Sequence, residues 1–600
     1  MRRSWFANGG GACNSAGMCG IAGIYRRGDG VADQATLQAL ASALLHRGPD
    51  STDIWSDGAI GLLSDRLAIM DVEGGDQPLY GPLGSVLVAN GEIYNNPELR
   101  AALHGHQFRT GSDCEPAAHL YERDGAGYAQ RLRGMYAIAI WDPVERRLLV
   151  SRDPFGIKPL YYVENQDGFF FASEIQALVN AGVAKPCIDE AREGELLQLK
   201  YTVGRETIFE GVERVLPGET LVVEDGRITD RRRVEALSAP SVVKATKPDL
   251  AAFEAVMTES VEHHLQTDVP YGLFLSGGID SSILLLLMRR LSRTPIRAIT
   301  VGYAGGPRMD ESQAALAFAD RHGADCHRIE MSEHDFHTLA PRIAAALDDP
   351  TSDPAVLPTF MLGRAARQDG LKVTLCGEGA DELFGGYRRY RFGWLRELLG
   401  SRPRRGVFEK LGFVVRPGWR SALEAVEAHS RKVWSSHAQR AQATDVAEAL
   451  PNNLLLKLDR CLMINSVEGR TPYIDPEVAR FAATLPEALK TQGDLGKILL
   501  RRWLAKADPA YPAMAKKRGF NTPVGGWIQG RADQLAPLVA RQPGVRAVFE
   551  PEAVEMIIRD AARRDQPAWS LIFYALWHST RVLGVRPDGD IAAVLAEAAA

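Results

Sequence analysis

The stretch Leu275-Ser276-Gly277-Gly278-Ile279-Asp280-Ser281-Ser282 joins an apolar strand to a helix through a glycine turn, and it constrains this chain more than any other segment. Upstream, Val269 to Leu275 is a short apolar run of β-compatible residues; downstream, Ile283 to Met288 is a strongly apolar helix candidate. The two glycines remove side chains where the backbone turns sharply, so main-chain N–H groups can point at an anion. A helix N-terminus behind such a turn favours negative charge, and Ser276, Ser281 and Ser282 add hydroxyl donors. The stretch reads as a pyrophosphate cradle or, on the bare motif, as a Gly-rich βα turn with a capping Asp or Ser. It carries neither Gly-Lys-Ser/Thr nor GxGxxG, which sets aside a Walker loop and the dinucleotide fingerprint.

After this turn the pattern alternates strand and helix, which implies a mainly parallel sheet covered by helices. Ala298 to Tyr303 is the next strand candidate, and a helix opens near Asp310 to Ser312. Ligands of such sheets lie at the carboxyl ends of the strands, so Leu275 and Val301 flank an adenine or are plain core. Val373 to Tyr387 holds three acids close together among glycines, costly unless a cation compensates.

Before residue 235 the pattern differs. Tyr136 to Trp141, Arg147 to Ser151, Gly168 to Ser173 and Glu219 to Val223 are short strands bounded by turn residues, which implies stacked antiparallel sheets. Polarity rises after Asp225-Gly226, and Ala239 to Pro248 suits a linker. At 600 residues, two or more domains are required. A formal net charge of −5 leaves no basic footprint for nucleic acid, and no run approaches the roughly eighteen apolar residues of a membrane span. The 7 cysteines are odd in number and never spaced as CxxC, which speaks against zinc and disulfide frameworks and for a reducing cytoplasm. The first residues lack an apolar core of the signal-peptide kind.

Ser-Gly-Gly-x-Asp-Ser-Ser resembles the pyrophosphate loop of the ATP pyrophosphatases, and Cys376-Gly377-Glu378-Gly379-Ala380-Asp381-Glu382 resembles the matching segment of glutamine-hydrolysing asparagine synthetases. That resemblance implies ATP at Leu275, Ser276, Gly277, Gly278, Asp280, Ser281, Ser282, Val301, Cys376 and Gly377, with Mg2+ shared by Asp280 and Asp381. It implies Glu378 at the adenylate or as base toward ammonia, and Lys517, in the basic run Lys516-Lys517-Arg518, at the phosphates. Asp459-Arg460 and Ser466 to Asp475 match a further run of the same family, expected to position the C-terminal helices.

Earlier, Met18-Cys19-Gly20-Ile21, His46-Arg47-Gly48-Pro49-Asp50, Ser64-Asp65-Arg66-Leu67, Asn90-Gly91-Glu92-Ile93 and Thr110-Gly111-Ser112-Asp113-Cys114 follow in the order found in class II glutamine amidotransferases. The resemblance implies Cys19 as nucleophile and an oxyanion hole from the Asn90 amide and the Gly91 N–H. It places Arg66 and Asp113 on the carboxylate and ammonium of glutamine, with Glu92 beside them. Taken singly, Cys19 also reads as a buried small residue, Asn90-Gly91 as a hairpin turn, Arg66 as a surface charge and Asp113 as a helix cap.

The fold expected is an α+β N-terminal-nucleophile domain of stacked antiparallel sheets over 19–235. A linker over 236–249 and an α/β domain of ATP-pyrophosphatase type with a helical C-terminal part over 250–600 follow, and a tail over 1–18 precedes. The resemblance implies asparagine made from aspartate, glutamine and ATP through a β-aspartyl adenylate. The alternatives are another carboxylate acceptor on the same architecture and, further off, a tRNA-modifying enzyme. The expected partners are these small molecules, with no nucleic acid and no membrane; a homodimer is left open.

An internal Cys19 has an amide nitrogen, which cannot take the thiol proton as a free amine can. The active chain is therefore expected to begin at Cys19, through initiation at Met18 with its excision or through removal of the tail. Intact-mass measurement and N-terminal sequencing of natively expressed, active protein should give Cys19 as first residue. Glutaminase activity in a chain still carrying Met1 to Met18 would refute the terminal-amine mechanism.

Overall fold

The computed structural model describes residues 19–238, 249–304, 310–391, 404–516 and 522–599. Its first half is built from two six-stranded antiparallel sheets. In one, the spatial order is Glu213–Arg214, Tyr161–Asn165, Gly168–Ala172, Gly20–Arg26, Ile60–Arg66, Ser51–Asp57. In the other it is Arg227–Arg233, Glu219–Glu224, Arg147–Arg152, Gly134–Asp142, Val86–Ile93, Leu79–Tyr80. The apolar faces meet through Ile21, Leu62, Val88, Ala139, Val150 and Phe171, all buried. Helices Gln34–Leu44 and Ile175–Asn180 cover the outer face of the first sheet, and Glu115–Asp124 covers that of the second.

Strand pairing fixes where the chemistry-bearing residues of this half lie. Gly20–Arg26 sits between Ile60–Arg66 and Gly168–Ala172, so Cys19 heads a central, buried strand. Asn90-Gly91 is not a hairpin turn: Val86–Ile93 pairs along its whole length with Gly134–Asp142, setting Asn90 against Ala137 and Gly91 against Tyr136. A Cβ at Gly91 would run into the Met135 carbonyl, so the glycine serves close strand approach rather than a reversal. The strand Arg227–Arg233 continues the sheet beyond Val223; it is almost wholly exposed and rich in arginine, the composition that keeps an edge from pairing further.

The second half carries a five-stranded, all-parallel sheet in the order Asp325–Met331, Arg297–Tyr303, Tyr271–Phe274, Val373–Leu375, Glu468–Arg470. Alternate residues feed opposite cores. Ala298 packs with Ile283 and Met257 on one face, while Ile299 and Val301 pack with Leu339 and Val356 on the other. The C-terminal part is helical, and Asp565–Arg581 is buried from Ala568 to Thr580. Among the described residues no helix is long and apolar enough to cross a membrane.

The halves meet across a seam of buried charge. Arg47, wholly buried, forks onto Asp459 at 2.8 and 3.0 Å and reaches Glu174 at 2.8 Å. Arg460 reaches the Ser173 carbonyl at 3.3 Å, Arg214 forks onto Asp349 at 2.7 and 2.8 Å, and Lys158 reaches Glu468 at 3.1 Å. Burial alone would raise the Asp459 carboxyl; Arg47 beside it outweighs that and holds it below its usual range. Removing one partner strands the other charge, so Asp459→Ala should cost about 3–5 kcal/mol in urea unfolding, whereas Arg47→Met with Asp459→Leu should recover most of it. A loss within about 0.5 kcal/mol for Asp459→Ala would show that the seam does not hold the halves together.

Candidate functional site

The residues singled out in the first half converge at the head of the Gly20–Arg26 strand. The Cys19 thiol donates weakly to the Leu67 carbonyl at 3.7 Å, and the Cys19 carbonyl takes Arg47 Nε at 3.4 Å. Asn90 reaches the first strand through Ser173, whose hydroxyl accepts from Asn90 Nδ2 at 3.5 Å and from the Ile21 N–H at 3.0 Å. Asn90 Oδ1 is buried with no hydrogen-bond partner among the described residues. Burial pushes the Cys19 thiol up to about 12, with Arg66 pulling the other way, so an internal Cys19 stays a thiol at neutral pH and needs an adjacent base.

Arg66 is buried, not a surface charge, and its guanidinium is gripped by the following loop. Nη2 donates to the Met70 and Asp71 carbonyls at 3.1 and 2.7 Å, and Nη1 to the Val72 carbonyl at 3.3 Å and the exposed Asp76 carboxylate at 2.9 Å. The exposed Asp76 shows that this guanidinium is open to a carboxylate from outside the loop's backbone. Asp113 is not a helix cap; its Oδ2 accepts the Ile93 N–H at 2.5 Å, while Cys114 holds the N-cap position. Burial raises the Asp113 carboxyl to about 6. Burial, and then the Asp113 charge, push Glu92 well above the usual range against the pull of Arg470. Two buried carboxyls that repel one another make a place where an ammonium group is stabilising.

The second group gathers at the carboxyl ends of Tyr271–Phe274 and Val373–Leu375. The Ser276 N–H and hydroxyl both lie 3.1 Å from the Ser281 hydroxyl, and the Gly278 N–H donates to Ser276 Oγ at 3.2 Å. Gly277 has a φ of 73° and a Cβ there would press on the Ala315 nitrogen, so the turn needs a glycine on both counts. Behind it the helix Ile279–Leu291 presents its N-terminus, with Asp280, Ser281 and Ser282 all in its opening turn. Leu275, just past the strand Tyr271–Phe274, and Val301, inside Arg297–Tyr303, are both buried. Gly377 packs directly on Asp280, where a Cβ would come within 3.0 Å, bringing the acidic loop against the glycine turn. The Cys376 thiol is buried and bonds the Thr374 carbonyl, a packing role. Glu378 faces Lys457 at 3.6 Å.

Lys497 belongs to this cluster although no sequence motif points to it. Its ammonium sits between Asp280 Oδ2 at 2.6 Å and Asp381 Oδ1 at 2.8 Å, almost wholly buried. Burial alone would lower this ammonium; the two carboxylates outweigh it and keep it charged. Two local rules are broken at this residue and could have marked it. It holds the N-cap of Ile498–Ala507, where a cation opposes the helix dipole, and it adopts a left-handed φ of 57°. Lys517, the cation expected at the phosphates, lies outside the described residues.

Among the described residues no three His, Cys, Asp or Glu side chains gather as a metal site. Two carboxylates are nonetheless what magnesium asks of a protein when substrate phosphates and water fill its other positions. Asp280 Oδ1, buried and without a hydrogen-bond partner among the described residues, is a free hard oxygen on one of them.

Asp459-Arg460 and Ser466 to Asp475 serve both the C-terminal helices and the seam: Asp475 caps the helix Pro476–Thr484 through the Glu477 N–H, while Arg460, Glu468 and Arg470 face the first half and Arg133 forks onto Asp475 at 2.8 and 3.0 Å.

Comparison with known proteins agrees with both halves. Residues 252–579 match the asparagine synthase family and residues 18–233 the glutamine amidotransferase domain family. The chain is 30% identical to asparagine synthetase [glutamine-hydrolyzing] 1 of Bacillus subtilis, over 94% of this chain and 97% of that protein. It is 33% identical to a putative asparagine synthetase [glutamine-hydrolyzing] of Mycobacterium tuberculosis, with the same coverage, and 29% identical to asparagine synthetase B [glutamine-hydrolyzing] of Escherichia coli, over 88% and 85%. With an amidotransferase half and a synthase half each matched, and each holding one of the two clusters of side chains, the chain belongs to the asparagine synthetase family.

Proposed function

We propose that this chain makes asparagine from aspartate, ATP and the amide nitrogen of glutamine, in the cytoplasm. The glutaminase domain spans 19–235 and the synthetase domain 250–600. The observation that carries the reading is Lys497 wedged between Asp280 and Asp381 beside the Ser-Gly-Gly turn, an arrangement of cation, carboxylates and turned N–H groups suited to a triphosphate under attack.

In the first site the Cys19 sulfur attacks the amide carbon of glutamine, and the terminal amine of Cys19 takes the thiol proton and returns it to the departing ammonia. The Asn90 amide and the Gly91 N–H stabilise the oxyanion; Arg66 takes the α-carboxylate in place of Asp76, and Asp113 with Glu92 receives the α-ammonium. Water then hydrolyses the thioester to glutamate. In the second site the side-chain carboxylate of aspartate attacks the α-phosphorus of ATP and pyrophosphate leaves. Lys497 sits where charge grows on the phosphates, and Lys517 remains the candidate for a second cation there. Magnesium held by Asp280 and Asp381 would supply charge neutralisation on the pyrophosphate. Ammonia arriving through the protein attacks the β-aspartyl adenylate, Glu378 accepts a proton from it, and AMP leaves. Leu275, Val301 and the Gly377 backbone line the adenosine side.

Cys19→Ala should abolish glutamine-dependent synthesis while ammonia-dependent synthesis persists, because the nucleophile and the adenylating groups lie in different domains; assays with each nitrogen source decide, and equal loss of both would refute the two-site reading. Lys497→Met should lower aspartate-dependent ATP–pyrophosphate exchange by about 10²–10³ while glutaminase activity remains. Exchange at the wild-type rate would remove Lys497 from the chemistry, and exchange supported by another carboxylate but not aspartate would change the substrate.

A further inference from the structure

Arg470 ends the strand Glu468–Arg470 and works in two directions. Its carbonyl accepts the Cys376 N–H at 2.8 Å and so fixes the start of the acidic loop that carries Glu378 and Asp381. Its guanidinium is wholly buried and turns toward the other domain. Nε donates to Glu468 at 2.7 Å, Nη1 to the His264 and Gln266 carbonyls at 3.0 and 2.7 Å, and Nη2 lies 3.3 Å from Glu92 Oε2. Glu468 in turn receives Lys158 Nζ from the glutaminase domain. Two residues of each domain, Glu92 and Lys158, Glu468 and Arg470, thus close a chain of alternating charge from which water is excluded. Glu92 is the residue after Gly91, on the strand that carries Asn90. Arg470 Nη2 and the Tyr94 hydroxyl are both buried without hydrogen-bond partners among the described residues, the guanidinium carbon lying 5.8 Å from the Tyr94 ring centre, so the contact of Nη2 with Glu92 is an ion pair with room to tighten.

We propose that Arg470 is a positioning residue that registers the oxyanion-hole strand of the glutaminase against the acidic loop of the synthetase, and thereby sets what fraction of the ammonia released at Cys19 reaches the adenylate. The inference rests on the reading given under Proposed function. A rigid fork is needed because one side chain must hold Glu92, Glu468 and two carbonyls at once, and a lysine offers only a point charge. The side chain touches neither cluster's reacting groups, so its loss acts through Glu92 and through the strand end, leaving the Cys376 N–H bond to the backbone intact.

The test uses the full chain with Arg470→Met and Arg470→Lys, measuring glutamate and AMP formed per turnover, ammonia-dependent synthesis, and the pH profile of glutaminase kcat/KM. In Arg470→Met the glutamate-to-AMP ratio should rise at least about fivefold while ammonia-dependent synthesis stays near wild type. The acid limb of the glutaminase profile should also move to higher pH. The groups facing Glu92 are Asp113 and Cys19 from its own domain, Lys158, and Glu468 and Arg470 from the other, and with Arg470 gone its buried carboxyl keeps its proton further into the neutral range. Arg470→Lys should restore the pH profile but not the ratio, separating charge from geometry. If Arg470→Met does not fold, Lys158→Met, which leaves Arg470 in place and unbalances Glu468, should raise the ratio in the same sense. An unchanged ratio in the folded variants overturns the inference; a wild-type chain that forms no glutamate, or no AMP with aspartate, overturns the functional reading instead.

Discussion

A guanidinium with no solvent exposure must find its counter-charges inside the protein, and Arg47 finds them on both sides of the domain boundary. It holds Glu174 and the Cys19 carbonyl in its own domain and Asp459 in the other. Asp459 shares its carboxylate with Arg460, and Arg460 returns to the first domain through the Ser173 carbonyl, whose hydroxyl contacts the Asn90 amide. The positions of Cys19 and of the Asn90 amide are therefore determined partly by residues of the second half of the chain. Buried charges are costly to separate and directional in what they accept, so the seam specifies one docking of the two domains where an apolar interface of the same extent would tolerate several.

Distance along the chain decides which of these features the residues alone reveal. The glycine turn at Gly277-Gly278 is local: a strand, a reversal and a helix are written within a few residues. The amidotransferase motifs are legible because each is short and their order is informative. Asn90-Gly91 is ambiguous on its own because its pairing partners are remote; only register with Gly134–Asp142 makes it a strand interior. Arg227–Arg233 stays hidden because an exposed edge strand has no apolar face to show. Lys497 stays hidden for a deeper reason. Its function comes from Asp280 and Asp381, both more than a hundred residues away, and the sequence near it offers only a misplaced cation at a helix start.

The two clusters solve opposite electrostatic problems. Around Cys19 the enclosed setting raises the thiol to about 12, which protects it from spurious ionisation and makes its reactivity depend on a base placed directly beside it. Around Lys497 the setting does the reverse and keeps an ammonium charged in a place where burial would favour its neutral form. Under the proposed function, the thiol would need its charge only at the moment of attack, whereas a cation facing a triphosphate would have to be charged beforehand, since preorganisation is what lowers the barrier.

Under the proposed function, Lys497 also bears on how a triphosphate would be admitted. Two carboxylates this close would repel, and a single ammonium between them leaves one negative charge uncompensated. Under the proposed function, bare ATP, with its own negative charge, would be disfavoured by that remainder, while a divalent cation on the nucleotide would bring the charge that the pair lacks. The left-handed backbone at Lys497 is a local strain held at the helix start, at the residue whose ammonium bridges the two carboxylates. The strain at that residue and the acidity around it coincide at one point, where, under the proposed function, a nucleotide already carrying a divalent cation would be preferred over the bare one.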